Sequence, residues 1–176
     1  GSITKKGEGT LTLVGTREAT GPVSVLAGTL AMGNTVTVSA GTSRIDGTLL
    51  LASVDDRLVV APGAALAGTG TVARVTLQDN AVFARAKADH AVTPLSISDC
   101  EAIGGLTIAL TGYTLDELKT GTLPLIRMPT EAIGTGQVSV TLDGQANQGL
   151  IPKYVSDGGQ KILSVVYLKG TLILMR

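Results

Sequence analysis

Lys6-Gly7-Glu8-Gly9-Thr10-Leu11-Thr12-Leu13-Val14-Gly15 decides the fold of this chain, because its Gly-Thr-Leu unit returns downstream. Gly28-Thr29-Leu30-Ala31-Met32-Gly33 is the first echo, and Gly47-Thr48-Leu49-Leu50-Leu51 is a weaker second. Gly9, Gly28 and Gly47 follow one another at 19 residues, about the length of one coil of a β-helix with its strands and turns. A turn glycine that opens a short alternating strand, reused at one spacing, marks a chain whose units bury apolar residues against one another. The function of such a chain lies on a surface or along a length.

Outward from this stretch, strand signals dominate. Thr10-Leu11-Thr12-Leu13-Val14, Val23-Ser24-Val25-Leu26 and Thr35-Val36-Thr37-Val38-Ser39 alternate apolar with small polar residues, the period of a half-buried strand. Arg57-Leu58-Val59-Val60, Thr71 to Leu77 and Asn80-Ala81-Val82-Phe83 continue the habit. Gly21-Pro22, Gly33-Asn34, Ala40-Gly41, Pro62-Gly63 and Asp79-Asn80 supply turns between them. An antiparallel sandwich uses the same residues; the recurrence of one motif at one spacing favours a parallel stack.

The pattern breaks between Ala84 and Pro94, where Ala84-Arg85-Ala86-Lys87-Ala88-Asp89-His90-Ala91 reads as a loop or short helix. Strands resume at Leu95–Ser98, Leu106–Leu110, Leu123–Ile126, Val138–Leu142, Lys161–Leu168 and Thr171–Met175. One helix is signalled at Thr114-Leu115-Asp116-Glu117-Leu118-Lys119. Thr114 and Glu117 have the spacing of a capping box and Gly121 provides the stop. Leu115 and Leu118 are expected to pack on the strand stack.

With these residues in place, the first half of the chain resembles the autotransporter passenger-associated β-strand repeat. Lys6 to Gly15, Gly21, and Val23-Ser24-Val25-Leu26-Ala27-Gly28-Thr29-Leu30 closely resemble the family pattern K-x-G-x-G-T-L-x-L-x-G, a loop, then G-x-T-x-V-x-x-G-T-L. Val60-Ala61-Pro62-Gly63-Ala64-Ala65-Leu66-Ala67-Gly68-Thr69-Gly70-Thr71-Val72 is similar to its downstream V-x-x-G-A-x-L-x-G-x-G-x-V element. The likeness covers about residues 3 to 83. The family's Asn-Thr-Tyr-Thr-Gly-Gly loop is replaced here by Thr16-Arg17-Glu18-Ala19-Thr20-Gly21-Pro22, without its tyrosine. The resemblance implies a right-handed parallel β-helix, exported and displayed on or shed from a Gram-negative-type cell. It implies no single activity.

Composition narrows the function classes. Fourteen basic and fourteen acidic side chains cancel, and no basic stripe exists to drive binding to nucleic acid or anionic membrane. No apolar run approaches the ~20 residues of a membrane span, so no membrane insertion by this segment is expected. The single Cys100 excludes an internal disulfide and reads as a small buried hydrophobe. Gly1-Ser2 reads as an expression scar, which would make the chain a fragment with any targeting signal left outside it.

Asp55-Asp56-Arg57 is the densest charge cluster; it reads as a solvated turn rather than a glycosidase carboxylate pair or calcium loop. Asp89-His90 has no accompanying Gly-x-Ser-x-Gly elbow, and one histidine with a distant cysteine builds no zinc site. Gly68-Thr69-Gly70-Thr71 imitates a dinucleotide fingerprint but lacks its third glycine and its helix. Only Phe83, Tyr113, Tyr154 and Tyr167 are aromatic, which argues against a broad carbohydrate platform; Phe83 and Tyr167 are expected to plug the core. No catalytic, cofactor or metal residue is therefore nominated.

The sequence thus predicts an all-β solenoid: regular coils over 3–90 and a less regular, capping part over 91–176. A non-enzymatic structural or adhesive segment of an exported surface protein is the leading expectation, its partner a host or cell-surface protein or glycan. An accessory carbohydrate-binding or spacer module of a secreted polysaccharide-degrading enzyme, and a folding-nucleation unit that aids secretion, stay open. The helical turn at 114–119, Leu123-Pro124 and Ile151-Pro152 are expected to cover one end of the stack, whose strand edges invite association. Deleting 91–176 is expected to cause aggregation, read by light scattering; a soluble, cooperatively melting 3–90 fragment would refute the capping role.

Overall fold

In the computed structural model, which describes residues 1–14, 20–89, 93–147 and 149–168, the 19-residue spacing is the length of a coil. The first passage holds β1 (Ile3–Lys5) and β2 (Thr10–Leu13). The next two are three-stranded: β3 (Val23–Val25), β4 (Thr29–Met32) and β5 (Val36–Val38), then β6 (Thr42–Ile45), β7 (Thr48–Leu51) and β8 (Leu58–Val60). From there each coil has two strands, β9 (Ala65–Gly68) with the longer β10 (Thr71–Leu77), then β11 (Ala81–Ala86) with β12 (Leu95–Ala102). The chain closes with β13 (Leu106–Thr111), α1 (Leu115–Leu118), β14 (Thr122–Met128), β15 (Val138–Leu142), β16 (Gln145–Ala146), β17 (Leu150–Asp157) and β18 (Gln160–Tyr167). The whole is a β-solenoid of about four turns of stacked parallel coils. His90 and the strand expected at Thr171–Met175 lie outside the described residues.

One sheet runs β1-β3-β6-β9-β11-β13-β15-β16 and the other β2-β4-β7-β10-β12-β14-β18-β17. β5 and β8 form a third short ladder that merges into β10, whose first half pairs with β7 and second half with β8. Thr10, Thr29, Thr48 and Thr71 are successive partners in one column, and Leu11, Leu30, Leu49 and Val72 are partners in the next. Leucine points inward and threonine outward because neighbouring strand residues face opposite sides. Leu30, Leu49 and Val72 are fully buried, each side chain contributing about 1.5–3 kcal/mol relative to exposure. Leu11, on the outermost strand, stays 41% exposed.

The coils meet most closely at the Gly-Thr corner. A Cβ on Gly47 would stand 2.4 Å from the carbonyl oxygen of Gly28, and one on Gly70 would stand 1.9 Å from that of Gly47. Gly68-Thr69-Gly70-Thr71 is therefore the next copy of the corner, with Thr71 seated on Thr48. Coil length then grows. Thr48 and Thr71 are 23 residues apart, Thr71 and Ser96 are 25, and Ser96 and Arg127 are 31. The added residues sit in corners, so the strand registers stay parallel.

Two expectations are corrected. Ala84–Ala86 belong to β11 rather than to a loop, and only Lys87–Asp89 form a 3-10 turn. Ala81, Phe83 and Arg85 all face inward in β11, so the period-2 strand signal ran through a charged residue. β12 extends to Ala102, past Asp99 and Glu101, which project from its outer side. The helical turn is as expected: Thr114 Oγ1 accepts from the Glu117 amide, and the Glu117 carboxylate accepts from the Thr114 amide. Leu118 is buried beneath it.

The far end changes direction. β18 adds antiparallel to β14, and β17 returns antiparallel to β18. Pro124 sits at a register shift in β14 and Pro152 on the outer strand β17, the two settings in which a sheet tolerates a missing amide proton. At the other end β1 turns Lys5 inward; it is 7% exposed, and its ammonium donates to the carbonyls of Lys6 (3.0 Å), Gly7 and Ala27 (3.3 Å). Gly70→Ala is expected to destabilise the chain by about 2 kcal/mol or more in urea unfolding. Gly136→Ala, where an added methyl meets nothing within 4 Å, is expected to change stability by less than ~0.5 kcal/mol.

Candidate functional site

The acidic turn at Asp55-Asp56 is held as a structural corner between β7 and β8. The Asp56 carboxylate accepts from the Ser53 amide at 3.1 Å. Arg74, one coil on, donates from Nε to the Asp56 carbonyl at 2.8 Å and from Nη2 to the carbonyls of Leu51 (2.8 Å) and Ser53. Arg57 reaches further, pairing with Asp99 of β12 at 2.7 Å, with Glu101 at 4.0 Å. The turn is spent on clamping coils.

Asp89 is committed in the same way. Its carboxylate pairs with Arg44 at 2.6 Å, and Arg44 also holds Asp46 at 2.6 Å. That bridge spans from β6 to the end of β11. Among the described residues no group of three or more His, Cys, Asp or Glu is placed to hold a metal ion. Cys100 is partly buried against the core, and its thiol is pushed up to about 12, first by burial and then by Asp99 and Glu101. Such a thiol is a poor nucleophile at neutral pH.

Arg85 is the charge that sequence reasoning missed. It is 1% exposed, and its Nη2 donates to the carbonyls of Thr93 and Leu125, each at 3.3 Å. The guanidinium carbon lies 5.9 Å from the centre of the Phe83 ring, a separation that permits cation–π attraction. Burial lowers its affinity for the proton, but an arginine starts so high that it stays charged. Phe83 itself is wholly buried, while Tyr167 only rests against the core from its rim.

A hollow of about 170 Å³ opens beside α1, where the chain crosses from β13 to β14. Tyr113, Leu118 and Leu123 form its apolar wall; Lys87, Glu117 and Thr122 bring polar groups to it. Lys87 Nζ stands 2.5 Å from Glu117 Oε1, and Glu117 Oε2 accepts from the Thr114 amide and hydroxyl, both at 2.9 Å. Asp116 and Lys119 form a second pair at 2.8 Å on the same helix. Tyr113 has its phenol pushed up, chiefly by burial, and so stays protonated at neutral pH. The hollow is therefore a neutral, partly apolar recess with fixed donors and acceptors.

Two other concavities are more apolar. One of about 470 Å³ lies at the open end, against Leu13, Val14, Met32, Leu50 and Leu51. Another, of about 360 Å³, lies between β15 and the start of β17, against Val138, Val140, Leu150 and Pro152.

The Lys87 and Thr114 contacts, in that order, hold the Glu117 carboxyl at about 2. A depressed carboxylate favours the folded state above its unfolded value near 4.5, and that preference is lost as pH falls toward 2. An NMR titration of Glu117 is expected to show this low midpoint, and Lys87→Met is expected to raise it. No family model, curated protein or solved structure matches the chain.

Proposed function

We propose that this chain is a non-catalytic structural or adhesive segment of an exported bacterial protein of autotransporter type, displayed at the cell surface or released from it. The observation that carries this reading is where the charges go. Arg44, Arg57 and Arg74 bind across coils to acids and carbonyls, so the outer charges stiffen the stack and do not converge on a cleft. A catalytic site needs the opposite: an acid, base or nucleophile gathered at one place with room for substrate. The Gly-Thr-Leu repeat and its likeness to the passenger repeat add the exported setting.

Display is a mechanical role. Parallel coils with shared ladders form a stiff body that carries whatever lies along its surface away from the cell. Its partner would be a host or cell-surface protein or glycan, recognised without a cofactor. The second reading, a unit that nucleates folding during secretion, is favoured by the antiparallel β17–β18 hairpin that finishes one sheet.

Surface proteolysis tests the proposal. Intact cells expressing the full parent protein are treated with a protease that does not enter them, then probed with antibody raised against this chain. Loss of the epitope from intact cells is expected. An epitope that disappears only after the cells are broken, and never occurs in the medium, would overturn the reading.

A further inference from the structure

We propose that the hollow beside α1 binds one neutral pyranose ring, so that the segment contacts a glycan through a single sugar unit. This deepens the adhesive reading, which supplies its biological setting. An apolar cavity of ~150 Å³ takes a single benzene ring, and drug-sized ligands need ~300 Å³ or more. At about 170 Å³ and open to solvent on one side, the hollow has room to seat one six-membered ring with its rim at the mouth.

Charge selects among rings. The ionic groups that line the hollow, Lys87 and Glu117, are already paired with each other at 2.5 Å. A charged ligand would have to break or crowd that pair, so a ring with no net charge is favoured. The hollow still offers donors in the Lys87 ammonium and acceptors in the Glu117 carboxylate, with hydroxyls from Tyr113 and Thr122. Hydroxyl groups on a ligand meet both demands at once, since each donates and accepts.

The apolar wall accounts for the rest of the fit. Tyr113, Leu118 and Leu123 match a ring that shows C–H bonds on one face and hydroxyls at its rim. A purely aromatic ring would offer the Tyr113 and Thr122 hydroxyls no hydrogen bond in exchange for the water it displaces, at a cost in affinity. A pyranose has an apolar face and a hydroxylated edge.

The approach to the hollow is adjustable by mutation. A side chain placed on Gly121 meets nothing within 4 Å, and its backbone is one that any residue adopts, so Gly121→Leu obstructs the recess without strain. The test is a protein-detected NMR titration of the full chain with methyl glycosides of glucose, galactose and mannose. Glucuronate, glucosamine and cyclohexanol serve as the anionic, cationic and apolar rings.

At least one neutral glycoside is expected to shift the amide signals of Lys87, Tyr113 and Thr122 with a dissociation constant of roughly 1–10 mM. Gly121→Leu and Thr122→Val are each expected to weaken it about tenfold, with melting temperature as the check on folding. Thr122→Val keeps the shape of the wall and reads the result should Gly121→Leu fail to fold. No shift from any neutral glycoside at about 50 mM overturns the proposal. So does tighter binding of glucuronate, glucosamine or cyclohexanol, or binding that both variants leave unchanged. The surface proteolysis experiment is independent, so a failure of display and a failure of sugar binding are told apart.

Discussion

Successive coils touch backbone to backbone at the glycine corner, and the rest of the fold depends on that distance. With the Gly70 Cβ position only 1.9 Å from the Gly47 carbonyl oxygen, no other residue fits there without moving a coil. The close approach fixes the starting points of β4, β7 and β10 in the second sheet. It brings Thr71 over Thr48 and Val72 over Leu49, and the inward ladder follows from strand alternation alone. Apolar burial then supplies the stability, but the glycines decide which residues are buried.

The outer surface adds a second layer of fastening. The Arg57–Asp99 pair skips the coil between them, and Arg74 gathers three carbonyls of the turn below it. A half-exposed ion pair contributes ~1 kcal/mol or less by itself. What these contacts add is registration of irregular turns, since Asp55-Asp56 has no ladder of its own. Inside the stack, Arg85 performs a similar task where the coils widen, tying the Thr93 and Leu125 carbonyls to β11.

Much of this was legible in the sequence. Gly28-Thr29-Leu30 and Gly47-Thr48-Leu49 announced both the coil length and the inward leucines, and Thr114 with Glu117 announced α1. Two things were not legible, for physical reasons. Arg85 and the Asp99–Glu101 stretch looked like loop because charge usually marks solvent; their partners include the Leu125 carbonyl and the Arg57 guanidinium, each 40 or more residues away. The hollow beside α1 arises where Lys87, Tyr113 and Thr122 are brought together from three separate segments, and no local motif records such a meeting. Cys100 was read as a buried hydrophobe; it packs on the core from a partly open position.

The lengthening of the coils has a consequence for how such a chain can change. From 19 to 31 residues, each increment is absorbed at a bend while the paired strands keep their neighbours. Insertions are therefore accommodated at the corners away from the Gly-Thr contact, so related chains can drift in length without drifting in architecture. Each turn of the solenoid becomes an independent site of innovation, able to acquire a helix, a recess or a charged loop while its neighbours stay as they were. The Lys87–Leu123 region is one such acquisition, and a scaffold of this kind can try many surfaces on one unaltered spine.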